Sequence, residues 1–336
     1  MKAVLGLLPA LVLICGLLPC LVAGQSMAGM EARRRQALPA DKVDFVIEGV
    51  CSAFEPSLPP GSTEICKELE KAFEDNSPDR VKRLAEQFPG SGLGHLWHGL
   101  ADVKQGNTTS GLKHLEAAVE FAGELPLAHL NLGVAYYLAR QTEPFKAQMR
   151  WVMVHQPENP WPYHYLGRFY SDELEDLKLG TKLFQEALKR NPQDYRSTFH
   201  IGLNHELEGD LAEAEARYEA AAEEADRKKT IFAFPLLGQA RISSRHQGLP
   251  EATRFAQKAV SLDPRLVDGR LTLGNLYLQS GELEKAIAEL KTAIDLDPNH
   301  PTPHYMLSRA YRKMERFSEA QKEEETFSRL KAMREK

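Results

Sequence analysis

Histidines are the first residues of this sequence whose type and spacing suit metal binding or acid–base catalysis, because the chain contains 11 of them. His95 and His98 are three residues apart, so on a helix their imidazoles would share one face. The HExxH motif, paired CxxC motifs and the EF-hand loop do not occur in the sequence. We therefore interpret the histidines as structural residues and predict neither a metal ion nor another cofactor.

Other residue patterns that support catalysis are absent or lie in the wrong context. Gly90, Gly92 and Gly94 form a glycine cluster, but it follows a predicted helix, whereas a phosphate-binding loop follows a strand. The GxSxG motif of serine hydrolases does not occur. The acidic residues between Glu213 and Glu224 belong to an alanine-rich segment typical of a solvated helix face. The sequence therefore predicts a protein that is not an enzyme.

The charge balance excludes one class of partner. The 336 residues carry a formal net charge of −5, with 26% charged and 8% aromatic residues. This composition is ordinary for a soluble helical protein. A nucleic-acid-binding domain would instead show a basic stripe, so we predict no nucleic-acid partner.

The N-terminus is much more hydrophobic than the rest of the chain. Lys2 precedes an unbroken apolar run that ends in the small residues Ala23 and Gly24, which is typical of a secretory signal peptide. We expect residues 1–24 to be cleaved, leaving an exported, periplasmic or secreted protein without a membrane span. The alternative is a membrane anchor formed by residues 3–23, since about 20 apolar residues can span a bilayer.

Two cysteines would remain after this cleavage, Cys51 and Cys66. An even number of cysteines in an exported protein favours a disulfide. The bond would close a loop rich in proline. The alternative is a pair of free thiols.

Residues 267–300 show the helical pattern of the chain most clearly. Small and large apolar residues recur on one face of two successive segments, Gly281 interrupts them, and Asp297-Pro298 ends the second. These residues are Leu273, Gly274 and Tyr277 in the first segment, and Ala286, Leu290 and Ala293 in the second. The pattern predicts two amphipathic helices joined by a tight turn.

This unit resembles the tetratricopeptide repeat (TPR), a helical hairpin of about 34 residues. Units in the same register begin at Gly92, Pro126, Pro160, Tyr195, Ala233, Val267 and Pro301. The unit at Pro160 contains one additional residue and the unit at Tyr195 about four. The resemblance implies an all-α fold, a right-handed superhelical solenoid of about seven TPR helix-turn-helix repeats, stabilised mainly between neighbours.

The predicted organisation has four parts. They are a signal peptide at 1–24, a flexible linker or N-terminal segment at 25–60 with one short helix between Asp41 and Phe54, an N-terminal helical cap or degenerate repeat at 61–91, and the TPR solenoid at 92–336. The charged run Glu323–Glu325 marks a C-terminal capping helix, because a terminal repeat needs a polar outer face.

In TPR proteins the first helix of each unit lines a concave wall. On this resemblance, the groove residues are Asn131, Trp161, His164, Tyr165, Arg168, Arg196, His200, Arg241, Arg245, Asn275, Arg309 and Arg312. By the same register, His98, His129 and His304 fall at packing offsets.

The groove composition predicts the chemistry of a partner. Arginine suits carboxylates and aromatic side chains anchor peptides, so we expect a protein or peptide partner with an acidic or carboxylate-bearing segment. The Lys and Asn set of the carboxylate-clamp TPR proteins is not reproduced. The alternative is that the arginines pair with acidic residues of adjacent helices, such as Asp172 and Glu206.

Two functional hypotheses follow. The first is an exported scaffold or adaptor that binds a peptide segment in its groove and assists assembly at the cell envelope. The second is an accessory subunit of an envelope enzyme or secretion apparatus that binds through its convex face. Substitution of the concave arginines distinguishes the two, because only the first depends on them.

Overall fold

The computed structural model describes residues 45–47, 50–54, 62–246 and 248–334. All of these residues lie in one compact unit. The predicted signal peptide and its alternative, a membrane anchor at 3–23, lie outside the described residues. None of the helices in the described ranges has the length and apolar character needed to cross a membrane.

Every regular element in the described ranges is helical, and seventeen α-helices follow one another along the chain. They are α1 (Val50–Phe54), α2 (Ser62–Glu74), α3 (Pro78–Ala85), α4 (Gly92–Lys104), α5 (Thr108–Ala122), α6 (Pro126–Leu138), α7 (Thr142–His155), α8 (Trp161–Arg168), α9 (Leu177–Arg190), α10 (Tyr195–Glu208), α11 (Leu211–Arg227), α12 (Phe234–His246), α13 (Leu249–Leu262), α14 (Val267–Ser280), α15 (Leu283–Leu296), α16 (Pro301–Lys313) and α17 (Phe317–Arg334).

From α2 onward each helix packs against the next. After the pair α2 and α3, the helices form seven hairpins, from α4 with α5 to α16 with α17. The first helices of neighbouring hairpins also touch, for example α4 with α6 and α14 with α16. Each hairpin therefore buries its apolar face against its neighbours, as expected for a solenoid. The predicted all-α solenoid of about seven helix-turn-helix units is confirmed.

The two insertions noted in the sequence take different forms. After α8 the chain forms a π-helical turn, Phe169–Glu173, which accommodates one additional residue before α9. In the next unit α11 is 17 residues long, whereas the second helices α13 and α15 have 14 residues each. The longer α11 takes up most of the four additional residues.

The apolar core is strongest at the two ends of the described chain. One large cluster runs from Phe45 to Phe169, and a second from Ala240 to Ala320. Among the described residues, three small apolar clusters lie mainly between them. Buried polar residues, among them Asp194, Ser197, Asn204 and Glu206, fill the same stretch. The middle of the solenoid thus depends on polar contacts more than its ends do.

The described part of the N-terminal segment is packed against the rest of the chain. Phe45, Val46, Val50 and Phe54 are all buried and belong to the first apolar cluster. Residues 45–47 and 50–54 therefore pack against the solenoid through their apolar side chains, while residues 25–41 lie outside the described ranges. The short helix expected between Asp41 and Phe54 is α1.

The predicted cysteine pair joins this segment to the cap. The sulfur atoms of Cys51 on α1 and Cys66 on α2 lie at disulfide distance, and their Cα atoms are 5.8 Å apart. This Cα separation falls within the usual range for disulfides. The bond holds α1 on the first helix of the cap.

Gly274 marks the close approach of the two helices of one hairpin, since a Cβ added there would lie 2.9 Å from Leu290 Cδ2. We expect Gly274→Leu to lower the free energy of unfolding by about 1 kcal/mol. Overpacking costs about 1–3 kcal/mol. The helix propensity of leucine, which is higher than that of glycine, offsets about 0.8 kcal/mol of this cost. Chemical denaturation followed by circular dichroism measures the change.

The matched control is Gln279→Leu, which places leucine at an exposed site on the same helix. If Gly274→Leu were as stable as this control, the two helices of the hairpin would not approach closely at Gly274.

Candidate binding groove

Asn131 on α6 holds the backbone of the N-terminal segment. Its side chain is fully buried, at 0% exposure. Asn131 Nδ2 donates to the carbonyl oxygen of Val46 at 2.9 Å, and Asn131 Oδ1 accepts from the Val46 N–H at 3.0 Å. When a residue is in the β conformation, its backbone N–H and C=O point to the same side of the strand. The Asn131 amide therefore takes the place that a neighbouring β-strand would occupy beside Val46.

Aromatic residues pack around this segment. The rings of Phe45 and Phe73 meet edge to face at 6.3 Å, and Phe73 meets Trp97 in the same way at 5.8 Å. Lys104 Nζ lies 4.0 Å from the centre of the Phe73 ring. The first part of the predicted groove, at Asn131, is thus occupied by the chain itself.

The middle of the groove contains a buried chain of hydrogen bonds. His164 Nδ1 lies 2.8 Å from Ser197 Oγ, and Ser197 Oγ donates to Asp194 Oδ2 at 2.5 Å. Asp194 also caps α10 by accepting from the backbone N–H groups of Arg196 and Ser197. In a hydrolytic triad the serine hydroxyl donates its hydrogen bond to the histidine, whereas here Ser197 donates it to Asp194. The arrangement therefore links α8 to α10 and does not activate a nucleophile.

Both histidines of this region are held neutral. Burial, and then the charges of Arg168 and Arg196, keep the pKa of His164 well below its usual range. Burial, followed by Arg168 and His164, does the same to the pKa of His200, whose ring stacks on Phe184 at 5.1 Å. At neutral pH the positive charge in the middle of the groove therefore comes from the arginines.

Most of the predicted groove arginines have acidic partners. Arg241 binds Glu206 with two hydrogen bonds, of 3.0 Å from Nε and 2.8 Å from Nη2, and Arg245 lies 3.6 Å from the same carboxylate. Arg168 Nε lies 3.7 Å from Asp172 Oδ2, and Arg312 lies 2.5 Å from a Glu324 oxygen. Pairing with acidic residues, the alternative drawn from the sequence, therefore accounts for much of this set.

Glu206 is the centre of a buried network that spans three helices. Tyr218 on α11 donates to Glu206 Oε2 at 2.7 Å, and Arg241 on α12 binds both carboxylate oxygens. Burial acts to raise the pKa of Glu206, but the hydrogen bonds and charge of Arg241 outweigh it and bring the pKa below its usual value. The carboxylate is therefore ionised and ties α10 to α12.

Two aromatic residues of the middle groove lie on α8. Tyr165 is buried, and its ring stacks with that of Trp161 at 5.9 Å. The guanidinium of Arg196 lies 5.5 Å from the centre of the Trp161 ring and 4.6 Å from that of Tyr195. These contacts make an aromatic surface with a cation at its edge.

The last part of the groove differs because its polar groups face solvent. Asn275 is half-buried, and its side chain makes no hydrogen bond to a described residue. Arg309 is exposed, forms no ion pair within the described ranges, and lies 5.9 Å from the centre of the Tyr305 ring. Tyr305 is itself 45% exposed. The sequence analysis missed Tyr305, although its place four residues before Arg309 on one helix face was a usable signal.

Several other histidines connect helices. His95 Nδ1 lies 3.1 Å from His114 Nδ1, and His129 stacks on Trp151 at 3.6 Å. His304 Nδ1 lies 2.6 Å from Glu323 Oε2. Across the described part of the chain, no group of three or more His, Cys, Asp or Glu side chains is arranged to hold a metal ion.

Family profiles identify the repeated unit. One profile, described as a TPR repeat, matches residues 274–315, and another, described as a tetratricopeptide repeat, matches residues 173–228. The chain contains tetratricopeptide repeats. The two matches include hairpins from both the polar middle and the apolar C-terminal end of the TPR solenoid.

Two curated relatives match much of this chain but little of their own length. The Arabidopsis thaliana protein CTR9 homolog is 23% identical over 225 residues, which cover 65% of this chain and 20% of that protein. Tetratricopeptide repeat protein 37 of Xenopus laevis is 22% identical over 209 residues, covering 59% and 13% respectively. The chain thus spans a fifth or less of these relatives.

Solved structures share the TPR fold. The APC/C hetero-tetramer Cut9–Hcn1 matches with a TM-score of 0.62 and 13% identity, over 87% of this chain and 56% of that chain. Yeast Tom70 matches with a TM-score of 0.58 and 16% identity, over 94% and 74%. Pseudomonas aeruginosa pilF matches with a TM-score of 0.53 and 16% identity, over 61% and 91%. At these identities the similarity concerns the fold alone.

Proposed function

We propose that this TPR protein is an exported scaffold or adaptor that binds an extended segment of a partner protein in its groove and assists assembly at the cell envelope. The observation that carries the proposal is the hold of Asn131 on Val46, in which a predicted groove residue binds both backbone groups of a non-helical segment. The same geometry would serve a segment from another protein. Export is proposed from the signal-peptide pattern of residues 1–24.

The last part of the groove supplies the surface for such a partner. Asn275, Tyr305 and Arg309 are accessible and are not consumed by ion pairs within the described residues. Arginine forms strong charge-assisted hydrogen bonds with a carboxylate, and Tyr305 offers a ring for an apolar side chain. The partner segment would therefore carry a carboxylate next to an apolar residue. A role in assemblies is in keeping with the similarity to Cut9–Hcn1, which is a hetero-tetramer.

Site-specific photo-crosslinking in the native cells tests the proposal. A photoreactive residue in place of Tyr305 is expected to capture a partner protein, and the additional double substitution Asn275→Ala and Arg309→Gln is expected to abolish the capture. Arg329→Gln is the control, because it removes the same charge from an exposed site on α17. Added salt should weaken capture, since exposed charges are screened over about 8–10 Å near physiological ionic strength.

Two outcomes would contradict the groove as the binding surface. One is capture that survives the double substitution. The other is capture only from Lys258, an exposed residue of the second helix of its hairpin, which would favour an accessory subunit that binds through the convex face.

A further inference from the structure

We propose that residues 45–47 are a ligand held in cis, which closes the first part of the groove, and that outside segments able to bind there share their pattern of an aromatic, a β-branched and an aliphatic residue. This inference rests on the proposed function, because it assigns the first part of the same groove. It adds a second class of partner segment. The first part of the groove would take an apolar segment, whereas the last part would take one that carries a carboxylate.

The geometry around Asn131 is that of a site with its ligand in place. Both polar atoms of the Asn131 side chain bind Val46, and Nδ2 also donates to the Leu127 carbonyl at 3.1 Å. A buried side-chain amide that loses its hydrogen-bond partners strongly destabilises the folded state. Departure of the segment would therefore leave Asn131 in need of water or of another backbone with a free N–H and C=O.

The surroundings of the segment determine which side chains fit. Phe45 and Val46 are both buried, and Phe45 packs edge to face on Phe73. Lys104, whose Nζ lies 4.0 Å from the centre of the Phe73 ring, already donates to the Phe73 carbonyl oxygen at 2.6 Å. A carboxylate in the place of Phe45 would be buried without a partner. Backbone recognition by Asn131 thus combines with selection for apolar side chains.

The disulfide keeps this ligand at the site. Cys51 lies five residues after Val46 and is bonded to Cys66 on α2. A short tether gives a bound segment an effective concentration in the millimolar range. An outside segment therefore has to displace a ligand that is always present, so the intact chain should bind such segments weakly.

A labelled synthetic peptide of residues 42–49 tests the inference by fluorescence anisotropy with the full chain. Val46→Pro removes the N–H that donates to Asn131 Oδ1. Phe45→Asp removes the apolar side chain that packs on Phe73. Either substitution should release the cis segment. Both variants are expected to bind the peptide at least tenfold more tightly than the unsubstituted chain. Val46→Ala is the control, because it keeps both backbone groups and should stay closed.

The peptide itself supplies the second half of the test. Adding Asn131→Ala to Val46→Pro should lower the peptide affinity by roughly tenfold or more, the effect of losing two buried hydrogen bonds. A peptide with Asp in the place of Phe45, or with an N-methyl group on the residue in the place of Val46, should bind tenfold or more weakly to the Val46→Pro variant.

Three results would overturn the inference. One is equal peptide binding by the unsubstituted chain and the two releasing variants. The second is no peptide binding by either variant while their helical content is unchanged, since residues 45–47 would then be a cap only. The third is binding that does not depend on Asn131. Partner capture through Tyr305 is measured separately, so the two failures are distinguishable: a failed peptide test removes the binding role of Asn131, and loss of capture removes the partner surface at Tyr305.

Discussion

Replacing Arg241 with glutamine is expected to lower the free energy of unfolding by about 2 kcal/mol. Glu206, whose side chain is 6% exposed, would lose both of its hydrogen bonds from the guanidinium and keep Tyr218 and the more distant Arg245. Removing one member of a buried ion pair costs about 3–5 kcal/mol. The Arg241 side chain is 37% exposed, so solvent screening reduces the cost. Chemical denaturation followed by circular dichroism measures it.

Arg309→Gln is the matched control, because Arg309 has the same place in its repeat as Arg241 in its own. We expect this variant to unfold at the same denaturant concentration as the unsubstituted protein, since Arg309 is exposed and has no ion pair among the described residues. Equal stability of the two variants would show that Glu206 does not hold Arg241. The Arg241 guanidinium would then be available to a groove ligand.

Acidification from pH 6.5 to pH 5 is expected to destabilise the fold by up to about 3 kcal/mol through His164 and His200 together. Burial is the main cause that lowers the pKa of both histidines in the folded protein. In the unfolded chain a histidine takes up its proton near pH 6.5. Below that pH the unfolded state therefore binds more protons than the folded state, and stability falls as the pH falls.

Denaturation curves recorded at several pH values measure this effect. The double variant His164→Asn and His200→Asn should show a much smaller change between pH 6.5 and pH 5. Ser197→Ala is the control, because it breaks the hydrogen bond to His164 and keeps both histidines, so it should lower stability and retain the pH dependence. An undiminished pH dependence in the double histidine variant would contradict the assignment.

Carboxylates act in a separate pH range. Burial raises the pKa of Asp102, but hydrogen bonds from Lys82 and Ser110 outweigh it and lower the pKa overall, and Glu206 behaves in the same way. A carboxyl group whose folded pKa is lowered contributes stability above its unfolded pKa of about 4 and loses it as the pH falls through the folded value. The histidine effect is therefore separated from theirs.

The register of the TPR solenoid was predictable from the sequence because its packing is local. Units expected to begin at Gly92, Pro126 and Val267 coincide with the first residues of α4, α6 and α14. Each hairpin buries its apolar face against its immediate neighbours, so the signal for each helix lies within its own unit and the next. The additional residue after Pro160 was likewise visible in the sequence, whereas its π-helical form was not.

The roles of the groove residues were not predictable, because they depend on contacts between distant parts of the chain. Asn131 was expected to face a partner, yet it binds Val46, 85 residues away, since the N-terminal segment folds back onto α6. The sequence left each arginine open between ligand binding and ion pairing. Arg241 and Glu206 are 35 residues apart and meet because first helices of adjacent hairpins pack together.

The sequence by itself thus determined which segments are helical and how they repeat, since amphipathic periodicity and turn residues are local. Only the tertiary structure decided which of the predicted groove side chains are engaged in contacts within the chain itself. Arg241 lies beside a buried carboxylate on a neighbouring helix, whereas Arg309, at the same repeat position, is exposed. Arginine at the same offset is therefore ion-paired in one repeat and exposed in another, because its neighbours come from other repeats whose sequences differ.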